Sequence, residues 1–216
     1  MTLPKTLTGL AAVFALGACA TTTPATAPIL TVPSVGAVSQ NATTGSYTVT
    51  VNGTPTDLGP PTSSLGTGIS TISFVGANFF ARGFTNADAT AIGGMTEGLN
   101  KSDFAGVTGT FGTVPTSATG TYTGNITFVY PNPASTTLVD YRTRNLSLTA
   151  NFTANTIAQN ADGVVIDGNI SGSSFSGNVT WSGKTAPMAG GFYGTNTAAG
   201  AFSSAEMAGA FMGTKP

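Results

Sequence analysis

Few side chains in this sequence can carry out chemistry, because the chain of 216 residues contains no histidine and a single cysteine, Cys19. Histidine is the commonest metal ligand and general base, and one thiol can form neither an internal disulfide nor a multi-thiolate metal site. The eight acidic residues are scattered, so an acid–base pair would require two of them to converge in a pocket. The sequence therefore predicts no enzyme, no metal site and no cofactor.

The densest group of charges is a five-residue segment, Asp140-Tyr141-Arg142-Thr143-Arg144. Its arginines could contact an acidic partner or the carboxylates of an iron carrier, whereas a solvated hairpin end could carry the same residues without any partner. We predict Asp140, Tyr141, Arg142 and Arg144 as partner contacts and keep the solvated hairpin end as the alternative.

The other charged residues are expected to lie in turns or to face solvent rather than to bind a ligand. Asp162 and Asp167 lie at the two ends of one predicted strand, where turn and solvent roles are favoured over calcium ligation. The formal net charge is −1, so no positive excess is available to neutralise a phosphate backbone, and nucleic acid is not an expected partner. The single tryptophan, Trp181, is predicted to lie in the core rather than on a contact surface.

The N-terminal segment has the features of a secretion signal. Residues 1–18 contain one positive charge, at Lys5, followed by an uncharged apolar stretch over residues 10–16. That stretch is far shorter than the roughly 20 residues that a spanning helix needs, so a signal peptide is favoured over a membrane span.

The four residues that end this segment, Leu16-Gly17-Ala18-Cys19, resemble the lipobox of bacterial lipoproteins. The resemblance implies cleavage between Ala18 and Cys19 and attachment of diacylglycerol, and further acylation such as palmitate, to Cys19. Several acyl chains anchor a protein far more firmly than one. Because Ala20 replaces the aspartate that retains enterobacterial lipoproteins in the inner membrane, the resemblance implies the bacterial outer membrane, with the cell surface as one of two leaflets left open.

Composition divides the rest of the chain into a tether and a strand-rich part. Residues 19–44 are rich in Thr, Ala, Pro, Ser and Val, which predicts a flexible linker behind the lipidated N-terminus. We assign residues 45–104 to N-terminal strands and loops and residues 105–216 to a barrel. Within the first of these, residues 53–68 and 85–103 are interpreted as loops, because prolines and a Gly-Gly pair interrupt them.

Alternating apolar and polar residues predict a small all-β fold. Tyr47, Val49 and Val51 share one face of a strand, and Leu146, Leu148, Ala150 and Phe152 share one face of another, while Thr, Ser and Asn fill the opposite faces. Many such short segments separated by tight turns favour an antiparallel barrel of about eight strands. Because the outward faces are polar, we expect a soluble barrel rather than a membrane-spanning one.

The C-terminal half resembles the barrel of the transferrin-binding protein B family. The segments that carry the resemblance are Met188-Ala189-Gly190-Gly191-Phe192-Tyr193-Gly194, Ala199-Gly200-Ala201-Phe202 and Gly209-Ala210-Phe211-Met212-Gly213. Gly190, Gly191 and Gly194 around Phe192-Tyr193 are expected to let this strand coil tightly and let a large aromatic side chain cover the bare backbone of its neighbour, as closure of a small barrel requires. The chain is much shorter than the bilobed receptor, so the resemblance implies a single-barrel relative similar to transferrin-binding-protein-like solute-binding proteins.

The resemblance implies a surface lipoprotein that captures a host or environmental protein, or an iron or haem carrier, through its loops. We expect membrane attachment through the lipid anchor alone, and a monomer. The alternative from another class is a structural or accessory envelope lipoprotein without a small ligand. The identity of the ligand is not encoded in any motif of the sequence.

Overall fold

The computed structural model describes residues 34–65, 68–96, 103–114, 118–135 and 139–216. These residues form an all-β molecule made of a closed barrel, a three-stranded sheet and a five-stranded sheet. None of the described residues belongs to a helix long and apolar enough to cross a membrane. The predicted signal peptide and lipid attachment site, including Ala18 and Cys19, lie outside the described residues.

Eight strands of the N-terminal part build the two small sheets. The three-stranded sheet contains β1 (Ala37–Gln40), β2 (Tyr47–Val51) and β3 (Thr54–Gly59). The five-stranded sheet contains β4 (Ser63–Leu65), β5 (Ser70–Val75), β6 (Phe79–Thr85), β7 (Ala89–Thr96) and β8 (Asp103–Gly109). Apolar side chains of both sheets share one core, in which Tyr47 and Phe74 meet edge to face with ring centroids 5.5 Å apart.

The remaining strands close into the predicted eight-stranded antiparallel barrel, in the order β10-β11-β12-β13-β14-β15-β16-β9. They are β9 (Thr119–Pro131), β10 (Val139–Asn151), β11 (Thr156–Ala161), β12 (Val164–Ser171), β13 (Ser174–Trp181), β14 (Lys184–Tyr193), β15 (Thr197–Ser204) and β16 (Met207–Thr214). The turn residues Asp162 and Gly163 both have positive φ, 54° and 71°, which suits a tight two-residue hairpin turn.

Aromatic rings packed against glycine fill the barrel interior, as the sequence predicts for Gly190 and as the structure shows for Gly200 and Gly209 as well. The cross-strand pairs Phe175–Gly190, Gly200–Phe211 and Phe202–Gly209 each place a ring opposite a residue without a side chain. A Cβ atom added to any of these glycines would overlap with the facing ring. Alternating large and absent side chains therefore let the barrel close around a dense core.

The five-stranded sheet packs on the outer surface of the barrel at β15 and β16. Side chains from β6 and β7, among them Phe84 and Ala91, share a buried cluster with Ala210 and Met212 of β16. Gly93 lies so close to Gly209 that a Cβ atom on Gly93 would overlap with the backbone of β16. Consequently β15 and β16 are buried on both faces.

Polar contacts fix the position of this sheet on the barrel. The amide of Asn86 donates a hydrogen bond to the Thr197 hydroxyl at 2.9 Å, and that hydroxyl donates to Asp88 at 2.9 Å. On β8, the carboxylate of Asp103 accepts a hydrogen bond from the hydroxyl of Ser203. The two groups bind opposite ends of β15, so they define how the sheet lies along this strand.

The structure corrects both loop interpretations. Residues 85–103 include the buried strand β7, whose Ala- and Gly-rich sequence lacks alternation because one face meets the N-terminal core and the other meets the barrel. Residues 53–68 include β3 and β4, and Pro55 is tolerated in β3 because this strand lies at the edge of its sheet. The Gly-Gly pair permits close packing instead of ending a strand.

Two proposed boundaries also differ from the observed elements. Residues 37–40, which by composition are predicted to belong to the tether of residues 19–44, form β1, because Val38 is buried in the N-terminal core. Residues 103–109, which fall partly within the proposed barrel of residues 105–216, form β8 of the five-stranded sheet. The first barrel strand begins at Thr119.

Candidate partner-binding rim

The predicted contact residues lie at the start of β10. This strand pairs with β9 along its whole length, from Val139 opposite Pro131 to Asn151 opposite Thr119. It pairs with β11 only through its last three residues, Thr149 to Asn151. The N-terminal half of β10 therefore pairs with β9 on one edge only. The segment from Asp140 to Arg144 lies beyond the part of β10 that pairs with β11.

Asp140 is held in place by its neighbours on the hairpin. Its carboxylate accepts a hydrogen bond from the backbone N–H of Tyr141 at 2.7 Å and another from the Tyr130 hydroxyl at 3.2 Å. These bonds, the backbone one first, and the nearby charge of Arg142 keep the pKa of Asp140 below its usual value despite some desolvation. The pKa of Tyr130 is raised, mainly by burial and then by the charge of Asp140. Asp140 is therefore ionised at neutral pH.

Tyr141 joins the barrel to the five-stranded sheet. Its ring stacks on Phe80 of β6, with centroids 5.3 Å apart and planes within 13°. The guanidinium carbon of Arg82, also on β6, lies 4.1 Å from the centroid of the same ring, which is cation–π geometry. Tyr141 remains 43% exposed, so part of its ring is still available to a partner.

A second aromatic and cationic group lies across the hairpin, around Tyr130. The ring of Trp181 packs on Tyr130 with centroids 5.2 Å apart and stacks on Phe128 at 4.5 Å. The ammonium of Lys184 lies 5.6 Å from the centroid of the Tyr130 ring. Trp181 is partly buried against the barrel core, in agreement with the sequence prediction.

Positive charge is concentrated at this end of the hairpin. Arg82 and Lys184 contact the rings of Tyr141 and Tyr130, and Arg142 and Arg144 follow on β10 with exposed side chains. Of the lysines and arginines that the structure describes, these are four of five, since Lys5 and Lys101 fall outside the described ranges. We name this region the cationic rim: Arg82, Tyr130, Tyr141, Arg142, Arg144 and Lys184.

The fifth described cation, Lys215, lies at the other end of the barrel. Its side chain is near Gly120, at the start of β9, whereas the cationic rim surrounds the far end of that strand. Lys215 therefore supplies a charge of the same sign on the same molecule, well removed from the cationic rim.

Within the described part of the chain, the acidic residues do not converge on a second site. Asp88 and Asp103 bind hydroxyls of the barrel, Asp140 borders the cationic rim and Asp162 lies in a turn. Within the described residues no group of three or more Cys, Asp or Glu side chains converges as metal ligands would. The predicted turn role of Asp162 is thus confirmed.

Sequence reasoning found four members of the cationic rim and its neighbourhood but missed Arg82, Phe80, Tyr130 and Lys184. Asp140, Tyr141, Arg142 and Arg144 are consecutive or nearly so, whereas Arg82 and Phe80 reach Tyr141 from another sheet. No local pattern could have indicated these contacts, because they depend on how β6 docks on the barrel. The period-two alternation does place Tyr130 and Phe128 on one face of β9, which was a usable signal.

The molecule thus belongs to the class of closed antiparallel barrels with small accessory sheets. It is similar to the crystal structure of isotype 1 transferrin binding protein B from serogroup B Neisseria meningitidis, with 17% identity and a TM-score of 0.48. That match covers 78% of this chain but 39% of the other, so this chain spans about two-fifths of its length.

Two further structures are similar at lower scores. The haemoglobin receptor HpuA from Kingella denitrificans is 14% identical with a TM-score of 0.42, and the match covers 79% of this chain and 82% of that one. The N-lobe of lactoferrin binding protein B of Moraxella bovis is 15% identical with a TM-score of 0.42, covering 68% and 79%. No family model and no curated protein sequence matches the chain.

Proposed function

We propose that this chain is a lipid-anchored, non-catalytic binding protein of the bacterial outer membrane that captures a protein partner through the cationic rim. The observation that carries the proposal is that four of the five described cations lie around one end of the β9–β10 hairpin, two of them on β10 and two brought to its tyrosines from β6 and β14. In a chain with only 7% charged residues, such a concentration indicates a surface that meets negative charge.

The residue types of the cationic rim support a protein partner. Arginine and tyrosine are enriched at protein interfaces, where they carry a large share of the binding free energy. Tyr141 and Arg82 are held by their mutual contact and by Phe80, so less side-chain entropy would be lost when a partner binds. Arg142 and Arg144 supply charges that attract an acidic surface and orient it.

The outer-membrane anchor is proposed from the sequence alone, because Cys19 and the residues around it lie outside the described part of the chain. We expect Cys19→Ser to abolish incorporation of labelled palmitate and to release the protein from the membrane fraction. Ser39→Ala, at an exposed position of β1, is the control and should label as the wild type does. Palmitate labelling of the Cys19→Ser protein would contradict the anchor.

The sequence resemblance directs the test of partner binding to iron and haem carriers. We expect the immobilised full chain to retain at least one of purified transferrin, lactoferrin and haemoglobin, and Arg142→Glu to weaken this binding about tenfold, the loss of one well-used charge contact. Surface plasmon resonance at physiological salt measures the effect.

The matched control is Lys215→Glu, which makes the same charge reversal at the other end of the barrel. It should change the dissociation constant by less than about twofold, because screened charges act over about one Debye length. Equal weakening by both variants would show that only net charge matters. Retention of none of the three carriers would oppose carrier capture and favour a structural or accessory envelope role.

A further inference from the structure

The N-terminal half of β10 is a free strand edge in the described part of the chain. β10 has thirteen residues and β11 has six, and the two strands pair only at Thr149 to Asn151. On its other edge, β10 is paired with β9 throughout. Among the described strands, none continues the sheet beside β10 between Asp140 and Leu148.

The hydrogen bonds of Gln159 show which backbone groups point to this edge. From β11, its side-chain amide accepts from the N–H of Ser147 at 2.7 Å and approaches the carbonyl of Asn145 at 3.5 Å. On the opposite edge, the N–H of Phe152 donates to Ala118, just before β9. Because backbone groups alternate along a strand, odd-numbered residues of β10 point to the free edge and even-numbered residues point to β9.

Side chains cap both ends of the free edge, and at its centre the Thr143 carbonyl accepts a long hydrogen bond from the Arg144 guanidinium at 3.5 Å. At the N-terminal end of this edge, the Asp140 carboxylate accepts a hydrogen bond from the N–H of Tyr141. At its C-terminal end, the Gln159 side chain accepts one from the N–H of Ser147. Between them, the N–H groups of Thr143 and Asn145 face the open edge. This centre borders a groove of about 420 Å³ lined by Asn125, Thr143, Arg144, Asn145 and Asp162.

Resting on the proposed function, we propose that the partner contributes an extended acidic segment that pairs as an additional strand with β10 between Tyr141 and Asn145. The N–H of Thr143 would donate to a carbonyl of that segment, as in other cases where a peptide adds to an exposed sheet edge. Arg142 and Arg144 share one face of β10, so carboxylates two residues apart on the added strand would meet both arginines.

Charge complementarity decides in favour of an acidic segment over a second copy of this chain. Antiparallel pairing of two β10 edges centred on Thr143 would place Arg142 opposite Arg144 of the other copy, and like charges directly opposite each other are destabilising. Inward and edge charges are a common means by which proteins prevent self-association of open strands. The same two arginines therefore oppose self-pairing and favour an acidic strand.

The test uses the full chain and a labelled octapeptide of alternating valine and glutamate, followed by fluorescence anisotropy. Thr143→Pro removes the N–H at the centre of the free edge while leaving the ladder with β9 intact, because that N–H points away from β9. We expect this variant to bind the peptide at least about tenfold more weakly than the matched control Thr143→Ala. The same peptide with lysine in place of glutamate should not bind.

A second measurement keeps the test decisive if Thr143→Pro does not fold. Methylation of alternate backbone nitrogens of the acidic peptide removes its own edge donors and should weaken binding to the wild-type chain by a similar factor. Full binding of the acidic peptide by folded Thr143→Pro, or of the methylated peptide by the wild type, would overturn strand addition. If carriers still depended on Arg142 in that case, the proposed function would stand and only the mode of pairing would be wrong.

Discussion

Replacing Phe211 by alanine is expected to lower the free energy of unfolding by about 4 kcal/mol, within the range for a large aromatic side chain deleted from a core. Phe211 is fully buried, lies opposite Gly200 and stacks on Phe175 with ring centroids 5.9 Å apart. Because Gly200 has no side chain to move into the space, the cavity should remain. Urea denaturation followed by the fluorescence of Trp181 measures the change.

The control for this prediction is Phe111→Ala. Phe111 also covers a glycine, Gly191, and stacks on Tyr193 at 5.1 Å, but it is 40% exposed on the outside of the barrel. Its removal should cost only about 1 kcal/mol, the order of one aromatic pair. If both variants lost the same stability, the pairing of interior rings with glycines would not be what holds the barrel closed.

Replacing Gly93 by alanine is expected to destabilise the protein by about 3 kcal/mol, the upper range for overpacking in a core. The added Cβ would overlap with backbone atoms of Gly209, and backbone cannot rotate away as a side chain can. The five-stranded sheet would have to move off β16, weakening the buried cluster that includes Ala91 and Met212. Thermal unfolding and amide hydrogen exchange in β7 measure the effect.

Gly120→Ala is the matched control, since the same methyl group is added to another strand glycine. There the new Cβ would have its nearest neighbour at 3.5 Å, an ordinary van der Waals contact, so we expect a change within about 0.5 kcal/mol. Hydrogen exchange in β7 that stays unchanged in Gly93→Ala would contradict the inference that the two glycines set the distance between the sheet and the barrel.

The barrel could be predicted from the sequence because its strands satisfy local rules. Leu146, Leu148 and Ala150 alternate with polar residues, and these three side chains do lie in the barrel core. Strand β7 could not be predicted in the same way, because burial of both faces removes the alternation on which the interpretation depends. From sequence alone, the Gly93-Gly94 pair cannot be distinguished from a pair that interrupts secondary structure. Only the close approach of Gly93 to Gly209 of β16 shows that it permits packing instead.

The candidate site was predicted in part for a similar reason. The segment from Asp140 to Arg144 is visible in one sequence window as a rare group of charges. The support of Tyr141 by Phe80 and Arg82 depends on a sheet that is distant along the chain. The free edge of β10 depends on the difference in length between β10 and β11, which alternation alone does not define to the residue.

The double burial of β16 constrains the order in which the molecule can assemble. This strand completes the barrel by pairing along its two edges with β9 and β15, and its outward face is the surface on which β6 and β7 pack. Bringing β16 to β9 closes the longest loop of the barrel, a step whose entropic cost slows folding. The surface on which the five-stranded sheet packs includes residues of β9 as well as β15 and β16, so we expect the N-terminal part of the chain to dock fully only after these C-terminal strands have paired.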